Sequence, residues 1–442
     1  MFLDDTDQYS LHRRSRHLWA SFKTPHRVLS TCKVNGGLRE DLTHVANHQS
    51  CEGVAHDRRY TRNRLELTGL SGFHAAACDE VGLPPSTTAL MSTAANMQCA
   101  VLSTAVHDEL RVAVAATAGV LGNATRAGDP AGWHEHREGS RPIERVAPGN
   151  QAPIQLNGAA EANAEPGAAN ADDQSASPHR VDAMCSALSW EQQRRSTRSL
   201  AGTPNAPDES GSGTIVTLVF INQPCTAACL TRAATMVTEG KSTALLDLRM
   251  PSLQSAGLAT GTGTDQLVIA APMPETEQDW ERNWAGSHNS LGQLLARATH
   301  EAVTRCLLLQ NGVCAELRRS ICGALSRHGC DEAALLSAAP AILDESDAAL
   351  FASNLTAIIH DPQSAAAAYA LAEIIDLVEA GILHAEVAQE SLINQAALLA
   401  AAVAVAPEQF ATLRDALHQE PTRSHSELAA RAVILGFANK WR

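Results

Sequence analysis

Gly213-Thr214-Ile215-Val216-Thr217-Leu218-Val219-Phe220-Ile221-Asn222 is the stretch on which the fold turns. Its β-branched and aromatic residues run without polar alternation over the length of one strand. A strand of that kind needs cover on both faces, as at the centre of a layered sheet. A helical pattern follows from about Thr226 to Leu246, then an apolar strand from Gln266 to Ala271, then a second helical pattern from about Ser290 to Leu309. Strand, helix, strand, helix in this order predicts an α/β fold, a layered sheet with flanking helices. Upstream, Met97–Ser103 and Leu110–Thr117 read as two strands joined by a polar turn at His107 and Asp108, an antiparallel hairpin.

Outward from this core the composition changes. At 442 residues the chain is long enough for two units with linkers. Residues 1–25 are polar and rich in Arg and His, and are expected to form a disordered leader. Residues 131–212 hold seven of the nineteen prolines among Asn, Gly, Ala, Ser and Gln, and so bury too little surface to offset the cost of ordering. They are expected to be a long disordered insertion, with Trp133 and Trp190 docking at its edges. From Asp331 the pattern is helical, broken by Pro340, Pro362, Pro407 and Pro421, which predicts an all-α C-terminal extension. The expected organisation is therefore a leader (1–25), an α/β domain (26–330) interrupted by the insertion, and an acidic, Ala-rich helical domain (331–442).

The net charge of −14 argues against nucleic-acid or anionic-membrane binding. Residues 331–442 carry fifteen Asp and Glu against five Lys and Arg, so the acidity belongs to the extension and the rest is nearly balanced. The extension is a candidate surface for a second copy or a protein partner. No basic-then-apolar start resembles a secretory signal, and the longest apolar run, Ala396–Ala406, is too short to span a bilayer. Eleven cysteines without a CxxC pair fit a reducing setting, so a cytoplasmic protein is expected. Cys225 and Cys229, four apart on a helix, read as small buried hydrophobes ahead of a metal or redox pair.

The chemistry concentrates in Thr260-Gly261-Thr262-Gly263-Thr264-Asp265, directly before the second strand. The glycines permit close backbone approach, while three threonines and a carboxylate supply hydroxyls and charge at the same place. Two motifs nearby fail on inspection. Gly240-Lys241-Ser242 imitates the end of a phosphate loop, but Thr235 stands where that loop needs glycine, and a helical segment precedes it. Gly261-Thr262-Gly263 imitates a dinucleotide fingerprint, but Gln266 replaces its third glycine. His134-Glu135-His136 lies in the low-complexity insertion, and no HExxH or comparable zinc spacing occurs.

Ordered blocks surround that loop. They are Arg27–Ser30 with Asn35-Gly36-Gly37 and Asn47-His48-Gln49, then Thr117–Pro130, Glu239–Leu245, Leu258–Asp265 and Gly286–Leu295. Together they resemble the adenosylcobinamide amidohydrolase family of corrinoid salvage, over roughly residues 26–130 and 213–310. The resemblance implies hydrolysis of the amide between the corrin ring and its aminopropanol side chain, releasing adenosylcobyric acid and 1-amino-2-propanol. Corrinoid then enters as a small-molecule substrate, and no cofactor is expected; metal dependence stays open. Three positions depart from the family pattern: Gly240 stands where alanine is usual, Asn289 where serine is usual, and Gln293 where glutamate is usual. Those departures leave two other readings, a corrinoid-binding protein without hydrolysis and a hydrolase of a different amide.

Amide hydrolysis needs a nucleophile, an oxyanion site and a proton for the departing amine. His288, with an intrinsic pKa near 6.5, is the candidate proton shuttle. Asp265 or Glu239 would orient it or activate water, with Gly240 breaking the helix so that Glu239 and Lys241 face one cleft. Backbone amides of Gly261, Thr262 and Gly263, with Lys241, would hold the oxyanion. Thr262 or Thr264 is the alternative nucleophile, though the sequence shows no base for either. Asn123, Arg126, Asp129, Asn222, Thr260, Gly261, Thr262, Gly263 and Thr264 are the candidate substrate-binding residues, with Asn47 and His48 behind them.

Overall fold

The structure, a computed structural model, describes residues 2–50, 57–137, 139–143, 213–276, 278–314, 318–419 and 424–440. The first half supplies strands β1 (Phe2–Asp5), β2 (Tyr9–Arg14), β3 (His17–Phe22), β4 (His26–Ser30), β5 (Gly37–Arg39) and β6 (His44–Gln49). Helix α1 (Asp57–Asp79) precedes β7 (Thr88–Thr93), β8 (Val101–His107), β9 (Leu110–Ala118), β10 (Ala124–Thr125), β11 (Trp133–His136) and β12 (Gly139–Pro142). Then come β13 (Ile215–Ile221), α2 (Ala227–Asp247), β14 (Gly261–Thr262), β15 (Gln266–Pro272) and α3 (Ser290–Asn311). Two units divide the chain: residues 1–127, 209–324 and 356–366 make one, and 128–208, 325–355 and 367–442 the other.

The first unit is a four-layer α/β structure. A five-stranded sheet, β1-β2-β3-β6-β7, faces a six-stranded sheet, β5-β4-β15-β13-β9-β8. Val216, Leu218 and Phe220 of β13 pack between the sheets with Leu11, Leu18, Val45 and Met91, while Ile215, Val219 and Ile221 pack under α2 and α3. Period-two alternation thus sends apolar residues to both faces of β13, and all seven are buried, as the unbroken apolar run requires. Truncating one such residue to alanine costs roughly 2–5 kcal/mol. β13 pairs parallel to β15 and antiparallel to β9, and β8–β9 form the expected hairpin. Met97–Cys99 is a short 3-10 turn, so the first hairpin strand begins at Val101.

The disordered leader is not what the structure contains. Residues 2–22 are three strands of the five-stranded sheet, with Tyr9, Leu11, Leu18 and Ala20 buried against the second sheet. Tyr9 stacks on Phe220 with ring centroids 4.3 Å apart, and its hydroxyl donates to Asp4, which Arg111 also binds. The disordered insertion expected over 131–212 is ordered at its start, where β11 and β12 form a hairpin bearing the exposed Trp133. Residues 144–212, Trp190 among them, lie outside the described residues.

Thr226 caps α2 by accepting from the Cys229 amide, and Gly312 ends α3 in the left-handed conformation. The C-terminal region is helical as expected. It contains α4 (Glu332–Ala338), α5 (Glu345–Ile359), α6 (Pro362–Glu379), α7 (Ala385–Ala404), α8 (Phe410–Gln419) and α9 (His425–Asn439). By length and composition Val387–Ala404 of α7 could cross a membrane. Half of that window is buried, however, and α7 packs on α8 and α9, which is how the core helix of a bundle is used.

Candidate active site

Asp265 lies just before β15, at the edge where β13 begins and β9 ends. Its carboxylate accepts four hydrogen bonds. Lys241 Nζ donates to Oδ2 at 2.5 Å and the Thr262 amide to the same oxygen at 3.0 Å. The Thr262 hydroxyl donates to Oδ1 at 2.5 Å, and the Ile215 amide to that oxygen at 3.1 Å. A carboxylate offers about four lone-pair sites, so this one is saturated. It has none left for a metal ion or an added water.

The glycines of the loop do permit close approach, but to the protein's own side chains. A Cβ on Gly261 would lie 2.5 Å from Lys241 Nζ and closer still to Asp265 Oδ2. One on Gly263 would lie 3.2 Å from Asn123 Oδ1. Lys241 and Asp265 are 15% and 18% exposed, so their charges meet with little water around them.

Neighbouring candidates hold the loop's shape. The Asn123 amide donates to Gly213 O and Thr264 Oγ1, and Thr264 shares a 2.6 Å hydroxyl contact with Thr214. β10 and β14 pair here: the Thr260 amide donates to Thr125 O, and Thr260 Oγ1 accepts from the Ala127 amide. Arg126 donates to Leu258 O from an exposed position. Asp129 is half-buried and belongs to the second unit. Two participants escaped the sequence reading. Ser242 donates to Thr260 O, and Thr214 braces Thr264; only their adjacency to Lys241 and to the core strand could have flagged them.

Three expectations change. Helix α2 runs unbroken through Gly240, so Glu239 stays on its exposed side and does not join Lys241. Glycine at 240 instead allows close helix packing, since a Cβ there would meet Ala296 O of α3 at 2.6 Å. His288 is exposed and does not reach Asp265. Its ring lies against Gly286, beside Arg232, which sits nine residues before Lys241 on α2, or about 14 Å along the axis. Asn222 serves a turn: its side chain accepts from the Arg111 amide and donates to Glu109 O.

The comparisons decide the family. A family model described as adenosylcobinamide amidohydrolase matches residues 3–315. The chain belongs to the adenosylcobinamide amidohydrolase family. An uncharacterized protein of Methanocaldococcus jannaschii is similar, 20% identical over 309 residues that cover 67% of this chain and 95% of its own. The amidohydrolase match begins at residue 3 rather than near residue 26, in agreement with β1–β3 being part of the folded domain.

Within the amidohydrolase domain, Thr262 is the candidate hydroxyl with a carboxylate in proton-transfer reach. The Thr264 hydroxyl instead meets Thr214 and Gly213 O. Thr262, Asp265 and Lys241 therefore form a hydroxyl–carboxylate–ammonium chain.

Proposed function

We propose that the protein hydrolyses the amide joining the corrin ring to the aminopropanol side chain of adenosylcobinamide, giving adenosylcobyric acid for cobamide salvage. The 2.5 Å contact between Thr262 Oγ1 and Asp265 Oδ1, in the loop that also carries the family resemblance, is the observation that supports this reading. In this mechanism Thr262 attacks the amide carbonyl carbon as its proton passes to Asp265. Lys241, held on the other carboxylate oxygen, donates a proton to the departing amine. Water then cleaves the resulting ester, and the threonine hydroxyl is restored. Saturation of Asp265 by four donors keeps its carboxylate in one place while the proton moves.

Corrinoid is the substrate, and the chemistry uses no resident cofactor. A cytoplasmic setting goes with this role, and the nine described cysteines are free thiols. Incubating the purified protein with adenosylcobinamide and separating corrinoids by chromatography with mass detection tests the proposal. Conversion to adenosylcobyric acid is expected. Unchanged substrate co-eluting with the protein would replace catalysis with binding.

A further inference from the structure

The helical region beyond the family match holds a mixed cluster of histidines and carboxylates. His328 ends a short 3-10 turn (Ser326–His328), Asp376 and Glu379 lie in the last turn of α6, and His425 opens α9. His328 Nδ1 is 3.6 Å from Glu379 Oε1, and Nε2 is 3.5 Å from Asp376 Oδ1. His425 Nδ1 approaches the same Glu379 oxygen at 3.6 Å. One ligand atom from each of His328, Asp376 and Glu379 lies within 4.8 Å of the others. Arg327 grips Asp376 with a fork of two hydrogen bonds, 2.6 and 2.5 Å.

Those nitrogen–oxygen gaps are too long for hydrogen bonds. The His328 side chain is 1% exposed, and neither ring nitrogen has a hydrogen-bond partner among the described residues. Burying an imidazole in that state is costly unless something else satisfies it. Ligand atoms held about 2.1 Å from a tetrahedral metal lie about 3.4 Å apart, close to the gaps seen. Ligating carboxylates are themselves held by hydrogen bonds, and Arg327 holds Asp376 in this way.

We propose that His328, Asp376 and Glu379 bind one divalent transition-metal ion of the zinc class, with Arg327 holding the Asp376 carboxylate in place. Imidazole and carboxylate donors together favour such an ion over magnesium. The ion would tie the turn before α4 to the end of α6. Its role is to staple the helical unit.

Chelator-treated, full-length protein titrated with cobalt(II) gives the test. One equivalent should produce a visible d–d band that zinc(II) displaces and magnesium does not. His328→Ala, Asp376→Ala and Glu379→Gln should abolish the band, and Arg327→Gln should weaken binding roughly 10–100-fold. The double variant His134→Ala/His136→Ala, in the exposed β11 strand, should keep it. Because His328→Ala could misfold, a second reading uses the unaltered chain: zinc(II) should raise its thermal transition. No cobalt band, a band that survives both His328→Ala and Glu379→Gln, or a thermal transition indifferent to zinc would overturn the site.

Discussion

Replacing Gly261 with alanine tests whether the glycine exists to admit the Lys241–Asp265 pair. No left-handed backbone is involved there, so the added methyl acts through space alone. It would sit 2.5 Å from Lys241 Nζ and well under 3.0 Å from Asp265 Oδ2. Recovering an ordinary contact requires the carboxylate to retreat by about 1 Å. A displacement of that size breaks the two hydrogen bonds on Oδ2, from Lys241 and the Thr262 amide. Hydrogen bonds to charged groups contribute about 1.5–3 kcal/mol each, so with partial relaxation Gly261→Ala should cost about 3 kcal/mol. Urea unfolding followed by tryptophan fluorescence measures the loss. In an Asp265→Ala background the cost should fall by about 2 kcal/mol, because the main obstacle is gone. Turnover should drop at least a hundredfold, as expected for roughly 1 Å of misplacement at a reacting group. Gly263→Ala, whose methyl would meet Asn123 Oδ1 at 3.2 Å, should cost much less. Equal penalties at 261 and 263, or a Gly261→Ala cost unchanged by Asp265→Ala, would refute the reasoning.

Further outcomes follow from the same geometry. Thr262→Ala should lower turnover at least a thousandfold while Thr262→Ser keeps a measurable rate, read by corrinoid chromatography. His288→Ala should stay within about threefold of the unaltered enzyme; a loss in the 10²–10⁴ range of a proton shuttle would move the chemistry to the Gly286 loop. Burial holds His17 and His26 below the usual imidazole value against hydrogen bonds to Ala77 O and Thr24 O. The unfolded chain therefore takes up protons first, and stability should fall as pH drops below about 6.5, a slope that His26→Gln reduces in urea unfolding. Burial pushes the Cys306 thiol up to about 12, so iodoacetamide at pH 8 should label it only after unfolding, whereas half-buried Cys99 reacts in the native protein.

Legibility in the sequence followed the strength of the local pattern. β13, α2, β15 and α3 could be read because each carries a strong local pattern, an unbroken apolar run in the strands and a helical apolar period after them. Residues 2–22 could not. Their buried positions alternate as Tyr9, Leu11, Leu18 and Ala20, but Arg and His fill the other face and mask the period-two signal. At the site, the Gly-Thr-Asp loop and Lys241 were legible as composition, and the structure brings them together. His288 and Glu239 misled because sequence order does not reveal the end of a sheet. A helix returning from β13 places its first turns at the strand's carboxyl end and Lys241 near its beginning, so His288 and Asp265 mark opposite ends of the same layer.

The departures from the family pattern bear on catalysis once they are placed. Asn289 caps α3, its side chain accepting from the Leu291 amide, a task serine performs equally well. Gln293 is exposed on the first turns of α3, and none of the four hydrogen bonds on Asp265 comes from that helix, so a missing carboxylate there removes no bond from the Thr262–Asp265–Lys241 chain. Gly240 is a packing substitution. Any side chain at that position would push α2 away from α3, and Lys241, the next residue, would be carried off Asp265. All three departures thus leave the hydroxyl–carboxylate–ammonium chain intact, and the third preserves it given how closely these helices pack. Gly240→Ala makes the argument measurable. If the glycine serves Lys241, the variant should lose stability and turnover together, while a matched Glu239→Ala on the exposed side of α2 should change neither.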